Sequence, residues 1–172
     1  MLHFEDGFFD EEIKCDFRIS AAMKCAWAAQ LEVLDRVDRI CRKHGIRYFA
    51  FWGTLLGAVR HQGFIPWDDD IDIGMPRDDY EKFITYARKE LQSPYELKTF
   101  DTDENYQQYI IRIINNQVEI SRNDALTNRN DNIWIDIFPL DGMPNNFVIR
   151  AIHKFHLLFF DYYYSIQNLI LV

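Results

Sequence analysis

Cys-x-x-Cys spacing is missing from this chain: its three cysteines, Cys15, Cys25 and Cys41, are odd in number and widely separated. That excludes a disulfide framework and gives no zinc-ligand pattern. The expectation is reduced, cytosolic thiols, two of them on one helix face. A basic excess is missing too, since 19 Lys and Arg stand against 27 Asp and Glu for a formal charge of −8 and a pI near 5.0. A general nucleic-acid binder needs a basic stripe that displaces counterions, so that class is excluded, whereas an anionic small substrate is allowed wherever a metal ion reverses the local sign. The first residues carry Glu5, Asp6, Asp10, Glu11 and Glu12 in place of a basic, then apolar, leader. An export signal is therefore not expected, and a cytoplasmic location is. Long uncharged apolar runs are lacking as well. The aromatic tail from Phe147 to Val172 is interrupted by Arg150, His153, Lys154, His156 and Asp161, and the remainder falls short of the roughly 20 residues that cross a bilayer. What is present in quantity is apolar and aromatic residue, 48% and 16% of 172, enough for one domain, 1–172, with a proper core.

The most informative stretch is Phe64-Ile65-Pro66-Trp67-Asp68-Asp69-Asp70-Ile71-Asp72-Ile73-Gly74. Carboxylates so crowded between a proline and a glycine repel one another, and a cation is expected there. If 68–73 is extended, Asp68, Asp70 and Asp72 share one face and Asp69, Ile71 and Ile73 the other. Same-face residues lie roughly 7 Å apart, so Asp70 and Asp72 can grip one Mg²⁺ or Mn²⁺ ion, or a close pair, that also takes substrate phosphate oxygens. Asp68 and Asp69 alone read equally well as a solvated face. An EF-hand loop fails, because the sixth and twelfth positions from Asp68 are Ile73 and Asp79 where Gly and Glu are needed.

Around this stretch the pattern alternates strand and helix. Ser20 to His44 has apolar residues at helical spacing (Met23, Trp27, Leu31 or Gln30, Leu34, Val37, Cys41, His44), with Ser20 as N-cap and Gly45 as stop; it reads as scaffold. Ile46 to Trp52 reads as a buried strand delivering Gly53 and Thr54, where Gly permits close backbone approach and Thr54 caps a short helix from Leu55, making an anion seat. Arg60 and His61 follow as candidates for phosphate contact, with helix-end packing as the equal alternative. A helix starting near Pro76 buries Tyr80, Phe83, Ile84, Ala87 and Leu91. Tyr95 to Phe100 reads as a strand, and Tyr109 to Ile114 with Val118 to Ser121 as a hairpin through 115–117. Arg112 in that hairpin reads first as exposed or salt-bridged, phosphate pairing being the lesser alternative. Residues 122–132 read as a polar loop. Asp136 sits among apolar neighbours in Ile133-Trp134-Ile135-Asp136-Ile137-Phe138, where an acid is costly unless paired or metal-bound, so it is the natural third carboxylate. The tail reads as a core helix ending without a cap, as in a domain truncated at its C-terminus.

The run Gly53-Thr54-Leu55-Leu56-Gly57-Ala58-Val59-Arg60-His61-Gln62-Gly63-Phe64-Ile65-Pro66-Trp67-Asp68-Asp69-Asp70-Ile71-Asp72-Ile73, with Asp79-Tyr80-Glu81-Lys82-Phe83 and Trp134-Ile135-Asp136-Ile137-Phe138-Pro139-Leu140-Asp141, resembles the LicD family of phosphocholine transferases. The resemblance covers roughly residues 30–145, and so long a motif is specific. It implies an α/β (α+β) nucleotidyltransferase-like fold, a mixed sheet flanked by helices, related to the fukutin group. It also implies transfer of phosphocholine or a similar phospho-alcohol from CDP-choline or another CDP-alcohol to a sugar or glycolipid hydroxyl, as in lipopolysaccharide or teichoic acid. On that footing Asp70, Asp72 and Asp136 are the metal ligands, Gly53 and Thr54 seat a phosphate, and Asp68 activates the acceptor or supports the ligands. The alternatives are a nucleotidyltransferase that uses an NTP and a non-catalytic CDP-alcohol-binding module. The aromatic tail is expected at a membrane surface or a homodimer interface.

Overall fold

Ser20 and Gly45 bracket α1 (Ala21–His44) as the spacing predicts. The Ser20 hydroxyl accepts from the Met23 N–H at 3.2 Å, and Gly45 closes the helix at φ 63 after a last turn that carries Arg42 and Lys43, cations that suit the negative end of the dipole. The buried face is rotated from the expected stripe: Val33 and Ile40 join Trp27, Val37 and Cys41 inside, and Leu31 and Leu34 are only partly covered. Of the two helical cysteines, Cys25 is exposed and Cys41 buried, so they do not share a face; burial pushes the Cys41 thiol up to about 12.

This computed structural model describes residues 2–101, 106, 108–124 and 127–170, with side chains described outside 121–130 and 160–170. Before α1 a small hairpin joins β1 (Glu12–Lys14) to β2 (Phe17–Ile19), through Cys15 and Asp16 at φ 54 and 59, the left-handed pair that a two-residue turn requires. After α1 come β3 (Phe49–Ala50), α2 (Trp52–His61), β4 (Asp72–Pro76), α3 (Arg77–Glu90), β5 (Tyr95–Lys98), β6 (Ile111–Asp124), β7 (Thr127–Leu140) and α4 (Phe147–Ile170). The result is an α/β fold. Its mixed five-stranded sheet runs β3-β4-β7-β6-β5, with β4 and β7 parallel and the other pairs antiparallel.

Alternation along the strands decides which side is core. Ile73, Met75, Ile111, Ile113, Ile133, Ile135 and Ile137 are buried with Tyr80, Phe83 and Ala87 of α3 and Val33, Val37 and Ile40 of α1. Both helices therefore lie on the isoleucine face, and the opposite face is left to Asp72, Arg112, Trp134, Asp136 and Phe138.

Three expectations need correction. The strand predicted over 46–52 is only two residues long, because the chain enters α2 already at Trp52. The hairpin predicted through 115–117 is a bulge, with register shifting between Asn115 and Glu119 while β6 continues to Asp124. No Gly or Pro lies between 111 and 138 to force a turn, so β6 and β7 stay paired through the polar stretch predicted as a loop; 125–126, where they join, lie outside the described residues.

Residues Met1–Leu140 form one compact unit and Asp141–Val172 another. The tail is helical as expected, but not a core helix: Phe147, Phe155 and Leu158 are 82%, 72% and 68% exposed. Its apolar positions Tyr162, Tyr163, Ile166, Leu169 and Ile170 lie outside the described side chains. Among the described residues no helix is long and apolar enough to cross a membrane.

Candidate active site

A row of charge crosses the open face of the sheet. Asp72 on β4 is the register partner of Asp136 on β7, Asp136 is that of Arg112 on β6, and Arg112 is that of Lys98 on β5. Residues in register across adjacent strands share a face and sit roughly 5 Å apart, so the two carboxylates, far apart in the chain, are brought side by side. Arg112 grips Asp136 with both arms of its guanidinium, Nε to Oδ1 at 2.6 Å and Nη2 to Oδ2 at 3.2 Å, and the Trp134 indole N–H donates to Oδ2 at 3.4 Å. The guanidinium also lies over the Trp134 ring at 4.6 Å. Of the two readings of Arg112, the ion pair is the one realised, and Asp136 is an acid whose charge is met.

Asp72 and Asp70 are different. Burial, then repulsion from Asp70, Asp136 and Asp68, pushes the Asp72 carboxyl from 3.8 up to about 7, with Arg112 the opposing influence. Asp70 is pushed up to about 6, by burial first, then by Asp68 and Asp69. Negative charge is in excess here, and a divalent cation is the natural counterweight. Among the described residues, no three His, Cys, Asp or Glu side chains are grouped to hold an ion by themselves. Asp70 and Asp72 instead fit a Mg²⁺-type ion, which characteristically takes one or two carboxylates and completes its shell with water and substrate phosphate.

The acidic run is not the extended strand predicted over 68–73. A turn over Pro66 and Trp67, closed by the Asp68 N–H on the Ile65 carbonyl at 3.0 Å, opens the run, and β4 begins only at Asp72. The isoleucines do go inward, Ile71 at 2% and Ile73 at 1% exposure. Side chains of α1 hold the start of the segment between turn and strand, and β7 holds its end. Trp27 Nε1 on α1 donates to the Asp68 carbonyl at 2.8 Å and Gln30 Nε2 to the Asp69 carbonyl at 2.7 Å; the Asp136 N–H bonds to the Ile71 carbonyl at 3.1 Å. Neither Trp27 nor Gln30 was foreseen as part of the site; the available signal was an amide-bearing residue in an otherwise apolar helical stripe.

Thr54 is not the predicted cap. The helix starts at Trp52 with Phe51 in the N-cap position and no side-chain capping bond; Thr54 Oγ1 instead accepts the Asp72 N–H at 2.8 Å, tying α2 to β4. Gly53 does allow close approach, by a side chain: a Cβ there would stand 2.5 Å from Asp68 Oδ2. Trp52, at φ 41, is in a region that bulky residues avoid, 65% exposed, with its ring 5.1 Å from that of Phe138. Such strain gathers at functional positions. Arg60 and His61 lie in the last turn of α2, at the end opposite Gly53 and Thr54; the His61 carbonyl accepts from Lys14 Nζ at 2.8 Å, and its ring meets Trp67 edge-on. Behind Gly53, Thr54, Asp68 and Asp70 opens a cavity of about 390 Å³, walled by Leu31, Leu34, Ala58, Phe64, Ile65 and Ile71, of the size and apolarity usual for small-ligand sites.

Residues 45–163 match the family described as LicD/FKTN/FKRP, nucleotidyltransferase domain. Over 116 residues the chain is 39% identical to the lipopolysaccharide cholinephosphotransferase LicD of Haemophilus influenzae, covering 67% of this chain and 43% of that protein. It is 40% identical over 55 residues to the human ribitol 5-phosphate transferase FKRP, covering 32% of this chain and 11% of the relative. The chain thus spans less than half the length of the curated relatives it matches.

Proposed function

Because the chain belongs to the LicD/FKTN/FKRP nucleotidyltransferase-domain family, we propose that its carboxylate site transfers a phospho-alcohol, phosphocholine or a similar group, from a CDP-linked donor to a sugar hydroxyl of a glycan. The observation that carries the reading is the pair of half-buried Asp70 and buried Asp72, mutually repelling and pushed up to about 6 and about 7, next to Asp136 on the neighbouring strand. Asp70 and Asp72 are the residues that would hold Mg²⁺ or Mn²⁺, and such an ion would supply charge neutralisation for the transferred phosphoryl group and the departing CMP.

The chain's own residues do the rest. Asp136, oriented by Arg112 and Trp134, stands in the same row, as ligand or as support. Asp68, whose carboxylate rests against Gly53, takes the proton from the acceptor hydroxyl. Thr54 and Gly53 set the backbone beside the phosphates. The apolar cavity behind them excludes water, which would otherwise compete with the sugar hydroxyl for the phosphoryl group.

The test is product analysis. Incubation with CDP-choline, CDP-ribitol and CDP-glycerol plus a glycan acceptor should release CMP in a divalent-ion-dependent way, and Asp70→Asn and Asp72→Asn should abolish it. Retained turnover in both variants removes the clamp from the mechanism. Pyrophosphate released from an NTP, with no CMP from any CDP-alcohol, would replace the reading with nucleotidyl transfer.

A further inference from the structure

We infer that Trp27 and Gln30, on the scaffold helix α1, are positioning residues that hold the acidic segment 68–72 in the conformation that aims its carboxylates. The assignment rests on the reading of Asp70 and Asp72 as the metal-facing pair. Segment 68–70 lies between a turn and the start of the ladder, where the Ile71 carbonyl accepts the Asp136 N–H, so the sheet does not order it. Its backbone is ordered instead by side chains from elsewhere. Trp27 Nε1 and Gln30 Nε2 bond to two successive carbonyls, those of Asp68 and Asp69, at 2.8 and 2.7 Å. Thr54 Oγ1 takes the Asp72 N–H immediately downstream. With Asp68 and Asp69 pinned at their carbonyls and Asp72 at its amide, Asp70 has little freedom to swing away from Asp72 despite their repulsion.

Packing alone does not account for Gln30. It is 2% exposed, and its Oε1 has no hydrogen-bond partner among the described residues. Its orientation is nevertheless unambiguous, because the end facing the Asp69 carbonyl has to be the donating NH₂. A buried acceptor without a partner costs stability, which Leu or Met at the same position would avoid. The amide is retained at that expense for the bond it gives to the acidic segment. Trp27 is likewise more than a packing group: its ring stacks on Phe64 at 4.7 Å, as a Phe could do, but its N–H is what reaches Asp68.

Gln30→Met removes one donor at nearly constant volume, and Trp27→Phe removes the other while keeping one ring against Phe64. Hydrogen exchange on the metal-free chain is the primary measurement. The amides of Asp68 and Asp72, which bond to the Ile65 carbonyl and to Thr54 Oγ1, should exchange about tenfold faster in either variant, with the rest of α1 and the sheet unchanged. The thermal midpoint of Gln30→Met should change little, since the orphaned Oε1 goes while the Asp69 carbonyl loses this donor. Mn²⁺ binding, followed by electron paramagnetic resonance, should weaken by about 10- to 100-fold, the usual effect of removing a group that orients a metal ligand. Unchanged exchange at 68–72 overturns the assignment, as does faster exchange spread over α1 and the whole sheet with a lowered midpoint, which marks a packing role. If the chain turns over no CDP-alcohol yet local exchange rises as stated, the positioning role stands and the transfer reading fails.

Discussion

Asp72 carries the sharpest consequence at the scale of single residues. An acid whose folded pKa stands near 7 against an ordinary 3.8 binds a proton in the native state that the unfolded state has already released. Stability is therefore greatest below the ordinary value and falls as pH rises toward the folded one. Without divalent ions, the thermal midpoint should decline between about pH 4 and about pH 7, and Asp72→Asn should flatten that decline in melts across the range. Added Mg²⁺ should restore the midpoint more strongly at the high end, because the ion competes with the proton. Arg112 argues the opposite sign. Its bidentate bond satisfies Asp136, so Arg112→Ala should leave that carboxylate unpaired and cost about 1.5–3 kcal/mol, read by urea unfolding. Arg112→Lys should recover only part, since a point charge cannot replace the planar fork.

Glycines separate fold from site at the scale of elements. A Cβ on Gly57 would meet the Gly63 carbonyl oxygen at 2.5 Å and the Ile65 nitrogen at 3.1 Å, both backbone atoms of the loop that returns from α2. Gly57→Ala should destabilise the chain by about 1–3 kcal/mol, whereas Gly63→Ala, with nothing within 4 Å, should stay within about 0.5 kcal/mol; thermal melts distinguish the two. Gly53→Ala presses only on the tip of the Asp68 carboxylate, which can turn aside. Its midpoint should hardly move, while CMP release falls on the order of tenfold to a hundredfold, because the displaced group is the one assigned to the acceptor hydroxyl.

Across the whole molecule, protection should follow the sheet's centre. Strands β4 and β7, and β6 where it runs opposite 133–137, are buried against α1 and α3, so their amides should exchange slowest, and those of the short β1–β2 hairpin and of β3 fastest; a map with the order reversed would contradict the core described here. The tail carries its own expectation. Phe147, Phe155 and Leu158 on α4 are exposed, and exposed apolar side chains on one helix favour association, so sedimentation of this chain should show concentration-dependent association, weakened by Phe155→Ser with Leu158→Ser.

Local pattern in the chain was sufficient for α1 with its Ser20 and Gly45 ends, for α3, for the inward isoleucines of β4 and β7, and for singling out Asp70, Asp72 and Asp136 by residue type, because caps, periodicity and a charged residue among apolar ones are properties of neighbours in sequence. Register was beyond it. That Asp72 faces Asp136, that Asp136 is occupied by Arg112, that Thr54 serves β4 instead of capping α2, and that Trp27 and Gln30 reach the acidic segment all depend on which strands and helices lie together. Those bonds link residues 18 to 64 positions apart, and no local preference encodes a contact that exists only after the chain has closed on itself.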